Sequence, residues 1–247
     1  MTDAPPLDYR RLNPDRIEET IDRLGRRIRQ RFPGSNLGSI CSHLFHVADH
    51  TRERAAWIAR PVLPLRIGVW ALVVLIVLAC VAGLSTAQLD GLRLRFVEMV
   101  QLIESAVNDI VFIGIAIFFL LTLETRIKRR RALAAISELR AIIHIIDMHQ
   151  LTKDPERLRS PGMSTTDSPK ETLSVFELRR YLSYCSEMLS LAAKIAALYV
   201  QDFDDGVVIA AANEVEELST GLSRKIWQKI MLLQDGSEPT DRAARAQ

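Results

Sequence analysis

Two long apolar runs divide a chain that is otherwise rich in charged residues. Residues 67–89 and 110–123 contain no Asp, Glu, Lys or Arg. The first run is long enough, as a helix, to cross a hydrocarbon core of about 30 Å, and it lacks the polar face that a soluble core helix normally carries. The second run is shorter, so its helix has to begin near Ser105. The pattern predicts two membrane-spanning helices, over about 66–89 and 105–124.

Basic residues are concentrated on the outer flanks of these two spans. Arginines lie at positions 52, 54, 60 and 66, before the first span, whereas the loop at 90–104 carries more acidic than basic side chains. The positive-inside rule therefore predicts that both termini are cytoplasmic. A basic cluster after the second span would also contact anionic lipid headgroups, and its members are Arg126, Lys128, Arg129, Arg130 and Arg131.

Small and acidic residues within the spans suggest contacts of their own. Ala79, Gly83 and Ala87 recur every four positions, a ridge that lets another helix approach closely. Gly114 lies at a similar depth in the second span, so the ridge could pack within the hairpin or against a second copy of the chain. Asp109 stands at the outer end of the second span, either among headgroups or as an ion-handling carboxylate.

Amphipathic helices are predicted on both sides of the hairpin. Asn13 followed by Pro14 is a typical helix start, and Phe-Pro-Gly at 32–34 ends that helix. A second helix is expected from about Asn36 toward Arg60. Since neither Gly nor Pro occurs from 121 to 153, the second span should continue into the cytoplasm to about His149.

The C-terminal part of the chain predicts a helical hairpin. Two apolar faces at helical spacing are separated by a turn at residues 204–206, which is typical of antiparallel αα-hairpins. The first face comprises Leu178, Tyr181, Cys185, Met188, Ala192, Ile195 and Tyr199, and the second comprises Val208, Ala211, Val215, Leu218, Leu222, Ile226 and Leu233. No strand-like alternation occurs, so the fold class is all-α, a two-helix transmembrane hairpin with a cytoplasmic helical bundle.

These patterns define six predicted segments. They are cytoplasmic amphipathic helices at 1–64, the transmembrane hairpin at 65–125, the cytoplasmic extension of its second helix at 126–152, a flexible loop at 153–171, the αα-hairpin at 172–234 and a disordered tail at 235–247.

Composition and motifs argue against several classes of function but identify none. The net charge of +2 gives no reason to expect nucleic-acid binding. Cys41, Cys80 and Cys185 are too few and too dispersed for a disulfide framework or a thiolate zinc site. Neither a phosphate-binding loop nor a catalytic motif such as GxSxG or HExxH is present, which argues against a standard enzyme.

The five histidines form two groups, and this is the strongest chemical signal in the chain. Positions 43, 46 and 50 project within about 60° of one another on a helix, and Glu53 falls on the same side. His144 shares a face with Asp147 at a spacing of three. Imidazole and carboxylate together could bind a divalent transition metal, and otherwise these are ordinary surface histidines. The predicted ligand set is His43, His46, His50, Glu53, His144 and Asp147.

Three function hypotheses follow. The leading one is an integral protein of the bacterial cytoplasmic (inner) membrane whose helical bundle oligomerises or docks a protein partner, with lipids as its other contacts. Arginine is used far more than lysine, which favours a bacterial source. The second is a membrane-anchored metal-dependent enzyme or a metal or pH sensor that uses the histidine groups. The third is a subunit of a small oligomeric channel or transporter.

Overall fold

A computed structural model describes residues 11–89, 96–155 and 173–235, and every regular element in these residues is α-helical. The all-α class is therefore confirmed. The helices are α1 Pro14–Arg31, α2 Asn36–Asp49, α3 Thr51–Ala59, α4 Leu63–Leu89, α5 Phe96–Leu151, α6 Val175–Val200 and α7 Gly206–Asp235. Among the described residues, those up to 58 together with those from 131 onward form one compact unit, here called the bundle, and those between 59 and 130 form a second unit.

Several predicted segments fall partly outside the described residues. Most of the loop predicted at 153–171 and nearly all of the tail at 235–247 lie there, as do the first ten residues and positions 90–95 of the predicted outer loop. Within the described part, α5 begins at Phe96, earlier than the start predicted near Ser105. It ends at Leu151, close to the predicted end at His149.

Helix α1 follows the predicted pattern closely. The Asn13 side chain accepts hydrogen bonds from the backbone N–H groups of Asp15 and Arg16, which satisfies donors that a helix start leaves free. Its apolar stripe packs into the bundle core, with Ile21 and Ile28 fully buried. At the end of the helix, Gly34 adopts φ 73°, a left-handed conformation that suits glycine.

The segment expected to form one helix from Asn36 toward Arg60 is divided at His50. The hydroxyl of Thr51 donates to the carbonyl of Val47 at 2.8 Å, and such back-bonding from Ser or Thr often bends helices. His50 caps α2 with φ −86° and ψ 0°, and α3 starts at the next residue. The break leaves His46 and His50 in the last turn of α2.

Helices α6 and α7 form the predicted antiparallel hairpin, and they supply much of the core. Ser174 and Glu177 make a capping box at the start of α6, and the Asp205 carboxylate accepts from the N–H groups of Val207 and Val208 at the start of α7. Nearly all of the predicted face residues are buried, whereas Ala211 and Leu218 are partly buried against the core.

Helix α1 packs against α6 through polar and aromatic contacts. Arg27 pairs with Glu187 at 3.0 Å and lies 5.1 Å above the ring centroid of Tyr184. The Phe32 ring meets the edge of Tyr181 at a centroid distance of 5.7 Å. Edge-to-face pairs of this kind add to the energy of simple burial, so this end of α1 is firmly placed.

The part of α5 that belongs to the bundle is held by apolar packing and by ion pairs. Its buried face includes Leu139 and Ile143, both fully buried. Glu138 pairs with Arg54 of α3, and Arg140 pairs with Glu214 of α7. At its end, the Lys229 ammonium donates to the main-chain carbonyl oxygen of Gln150 at 2.8 Å.

The second unit contains α4 and the first part of α5. Glu124 forms ion pairs with Arg66 at 3.6 Å and with Lys128 at 3.0 Å, which places the start of α4 beside α5. Many apolar side chains of this unit are exposed on its surface. Trp70, Phe112 and Phe118 are 70%, 71% and 72% exposed.

Candidate functional site

The structure brings three potential metal ligands together at the end of α2. Each of His46, Asp49 and His50 offers one ligand atom, and these atoms lie within 4.8 Å of one another. The spacing explains the arrangement, because residues three and four positions apart lie on the same face of a helix. Asp49 was absent from the predicted ligand set, although its spacing of three from His46 is visible in the sequence.

The two histidines of this cluster also interact with each other and with an acid. Their ring centroids are 4.6 Å apart in an edge-to-face arrangement. Nδ1 of His50 lies 3.8 Å from a carboxylate oxygen of Glu53, in the first turn of α3. Glu53 is thus placed beside a ligand, where it can orient the imidazole.

The remaining predicted ligands lie elsewhere. His43 and His144 are exposed on α2 and α5. Asp147 accepts a hydrogen bond from the Gln150 side chain at 2.6 Å. Among the described residues, no group of three ligand atoms includes His144 or Asp147. The structure therefore supports a smaller cluster on α2 and does not join the two histidine groups into one site.

An open groove runs between α6 and α7 on the surface of the bundle, and many of the side chains that line it are small. Its volume is about 520 Å³. The walls carry both signs of charge as well as hydroxyl and methyl groups, from Leu12, Ser186, Ser190, Ala193, Lys194, Ala197, Glu216, Ser219, Thr220, Ser223, Arg224 and Trp227. The predicted inward face of α7 includes Leu222 and Ile226, and the small residues Ser219, Thr220 and Ser223 of the groove lie outside it.

Two polar groups in the groove differ in how they are satisfied. The Lys194 ammonium donates to the Ser190 hydroxyl at 2.7 Å. Ser219 is only 3% exposed, and its hydroxyl has no hydrogen-bond partner among the described residues. A buried hydroxyl without a partner costs free energy.

The predicted contacts of the spans are described only in part. The side chains of Ala79 and Ala87, and the surroundings of Gly83, lie outside the described residues. Among the side chains that the structure describes, none has an atom within 4 Å of a Cβ placed on Gly114. Asp109 is exposed on α5, so its role stays a prediction.

The predicted lipid-binding cluster is divided between protein contacts and open surface. Lys128 forms an ion pair with Glu124, and the Arg131 guanidinium lies 4.2 Å above the centroid of the Trp57 ring. Arg126 and Arg130 are exposed, whereas Arg129 is half-buried. Exposed arginines next to an apolar helix remain suited to anionic headgroups.

Comparisons with known proteins give no match from which a function could be inferred. No protein-family model matches the chain, and neither the curated proteins nor the solved structures give a match. Two helical segments of the described chain are long and apolar enough to cross a membrane, Thr51–Leu78 and Val107–Leu151.

Proposed function

We propose that this protein is a membrane-anchored helical module whose bundle self-associates through the groove between α6 and α7. The observation that carries the proposal is the groove itself, an open channel between two well-packed helices, lined by small side chains and by charges of both signs. In the monomer this groove is open to solvent, and a second chain could fill it.

Exposure of the two candidate spans supports the membrane anchor. In their most apolar windows, 0% of the first segment and 6% of the second are buried, whereas the core helix of a soluble protein is largely buried. A bilayer would cover side chains such as Trp70 and Phe118. We infer a two-helix hairpin in the bacterial inner membrane, with both termini and the bundle in the cytoplasm.

A second copy of the same chain fits the groove better than a partner of a single charge. Small side chains such as Ser190 and Ala197 allow two helices to approach closely. The groove also combines the cations Lys194 and Arg224 with the anion Glu216. Because a twofold interface pairs a surface with itself, a patch that carries both signs can place each charge near its opposite.

An aromatic anchor stands at the end of the groove. Trp227 is 57% exposed although it lines the groove, and Met231 follows one turn later on α7 and is also exposed. Exposed Trp residues next to a cavity are typical of interface hot spots. Anchoring in a membrane would confine the chains to a plane and raise their effective concentration, which favours weak association.

The test is site-specific crosslinking of the full chain in native membranes. In a Cys80→Ala background, Thr220→Cys places a thiol in the groove and Gln30→Cys places one on the exposed side of α1 as the control. The two buried native thiols can remain. With a short bis-maleimide reagent we expect a dimer for the groove variant only. Monomer in both variants, or equal dimer in both, would contradict self-association through this surface.

A filled groove provides the complementary experiment. Thr220→Arg should block a second copy, and light scattering of the purified protein in mild detergent should show a smaller particle than the wild type. Gln30→Arg adds the same charge on α1 and should leave the mass unchanged. A wild-type protein that is monomeric at every concentration tested would remove the proposal.

A further inference from the structure

We propose that His46, Asp49 and His50 form a binding site for a single divalent transition metal ion of the zinc class at the C-terminal end of α2. The proposal is independent of self-association. It rests on the only three-ligand cluster in the described residues, whose ligand atoms lie within 4.8 Å of one another.

The distances are compatible with coordination after small side-chain rotations. Zinc–nitrogen distances of about 2.0–2.1 Å in a tetrahedral site place neighbouring ligand atoms roughly 3.3 Å apart. His46 and Asp49 are exposed and His50 is half-buried, so all three side chains can turn without disturbing the core. Two histidines four residues apart on one helix face are also the arrangement through which HExxH helices bind zinc.

The position of the carboxylate distinguishes this cluster from a protease motif. In HExxH the acid follows the first histidine directly and acts as a base, whereas Asp49 lies three residues after His46 and on its side of the helix. Asp49 is therefore placed to be a third ligand. Three protein ligands leave a coordination position for water or for a group from another molecule.

The surroundings favour a bound cation. Asp49 is the last residue of α2, where the partial negative charge of the helix end disfavours a carboxylate. It makes no hydrogen bond or ion pair within the described residues. Glu53 lies 3.8 Å from Nδ1 of His50, and a carboxylate on the second nitrogen of a metal-bound imidazole fixes its orientation and raises its basicity.

The experiment is zinc binding to the full chain in mild detergent, purified without a histidine tag. Competition with a chromophoric chelator gives stoichiometry and affinity, and Co²⁺ substitution gives an absorption spectrum that reports the geometry. We expect one equivalent per chain, lost together with the cobalt spectrum in His46→Ala. Asp49→Asn should weaken zinc binding strongly, and Glu53→Gln should weaken it by about 10-fold, as for other groups that support a ligand.

The matched control is His144→Ala, which removes an exposed histidine outside the cluster. Unchanged affinity in this variant is the expected result. Equal loss in His144→Ala and His46→Ala would overturn the three-ligand site and favour one that joins both histidine groups. Full binding in His46→Ala, or no zinc bound by the wild type at micromolar concentration, would also overturn it. Circular dichroism shows whether each variant is folded.

Discussion

Lys229 of α7 holds the end of α5 through Gln150. Its ammonium lies 2.8 Å from the main-chain oxygen of Gln150 and 2.9 Å from that residue's side-chain oxygen. A third hydrogen bond reaches the carbonyl of Lys153 at 3.1 Å. The last carbonyls of a helix have no partner within it, although that of Gln150 also accepts from the N–H of Lys153 at 3.1 Å. A single side chain of α7 therefore donates to three acceptors at the end of α5 and just beyond it. Burial lowers the pKa of Lys229, and Asp154 and Asp147 oppose that effect.

Replacing Lys229 by Met should therefore destabilise the bundle. Hydrogen bonds to charged groups contribute about 1.5–3 kcal/mol, and we expect a loss of that size in the free energy of unfolding. Denaturant unfolding in mild detergent, followed by near-UV circular dichroism, measures it. Lys225→Met, on the exposed side of α7, is the control and should have little effect. Equal losses in the two variants would show that the hydrogen bonds to α5 contribute nothing.

Cys185 gives a pH-dependent prediction. Burial raises the pKa of its thiol to about 12, above an ordinary value of about 8.5. The folded protein thus favours the neutral thiol. Its contribution to stability is complete below about pH 8.5 and decreases as the pH rises toward 12, by at most about 1.4 kcal/mol per pH unit.

Comparison with Cys185→Ala isolates that contribution from the other titrating groups. The difference in unfolding free energy between wild type and variant should be constant from about pH 7 to 8 and should then shift against the wild type up to about pH 10.5. A difference that stays constant over the whole interval would mean that the thiol is not buried as described. Slow maleimide labelling of the folded protein gives an independent check.

The capping box of α6 should be worth a measurable amount of stability. Ser174 accepts from the N–H of Glu177, whose carboxylate accepts in return from the backbone N–H and the hydroxyl of Ser174, both at 2.8 Å. Loss of a cap side chain costs about 1 kcal/mol, so we expect Ser174→Ala to destabilise by that amount in thermal or denaturant unfolding. Ser174→Asp keeps an acceptor and should restore most of the loss.

The same box predicts a dependence on pH. Hydrogen bonds from the backbone and side chain of Ser174 lower the pKa of Glu177. The contribution of this carboxylate is complete above its ordinary pKa of about 4.3 and is lost as the pH falls through the lowered value. The penalty of Ser174→Ala should therefore shrink below about pH 4. An unchanged penalty in acid would indicate that Glu177 takes no part.

Labelling with a membrane-impermeant maleimide tests the topology. With Cys80→Ala as background, Gly91→Cys in the predicted outer loop should react in intact spheroplasts. Gln30→Cys should react only after lysis, because the bundle is expected on the cytoplasmic side. The reverse pattern would invert the orientation, and labelling of both sites in intact cells would argue against the hairpin.

The helices were predictable because their signals are local. Asn13 and Pro14 mark the start of α1, and the spacing of Leu178, Cys185 and Met188 gives the buried face of α6, all of which the structure confirms. Cap residues and apolar periodicity act within a few turns, so one sequence is enough to reveal them.

The sites were less predictable because they depend on contacts between distant segments or on small shifts in helix phase. The break at His50 coincides with a hydroxyl–carbonyl contact between Thr51 and Val47, and the sequence does not distinguish this segment from a continuous helix. The groove depends on how α6 and α7 are rotated about their axes, and its serines and alanines give no apolar periodicity. Asp49 could have been found from its spacing alone.

The ion pair between Arg27 and Glu187 joins residues 160 positions apart, and it has a consequence for biosynthesis. At about 5–20 residues per second, a ribosome needs roughly 8–32 s to make the chain between them. During that interval α1 has no access to α6, because the ribosome has not yet made that helix. We therefore expect nascent chains that stop before α6 to need a chaperone and to be degraded faster than the complete protein.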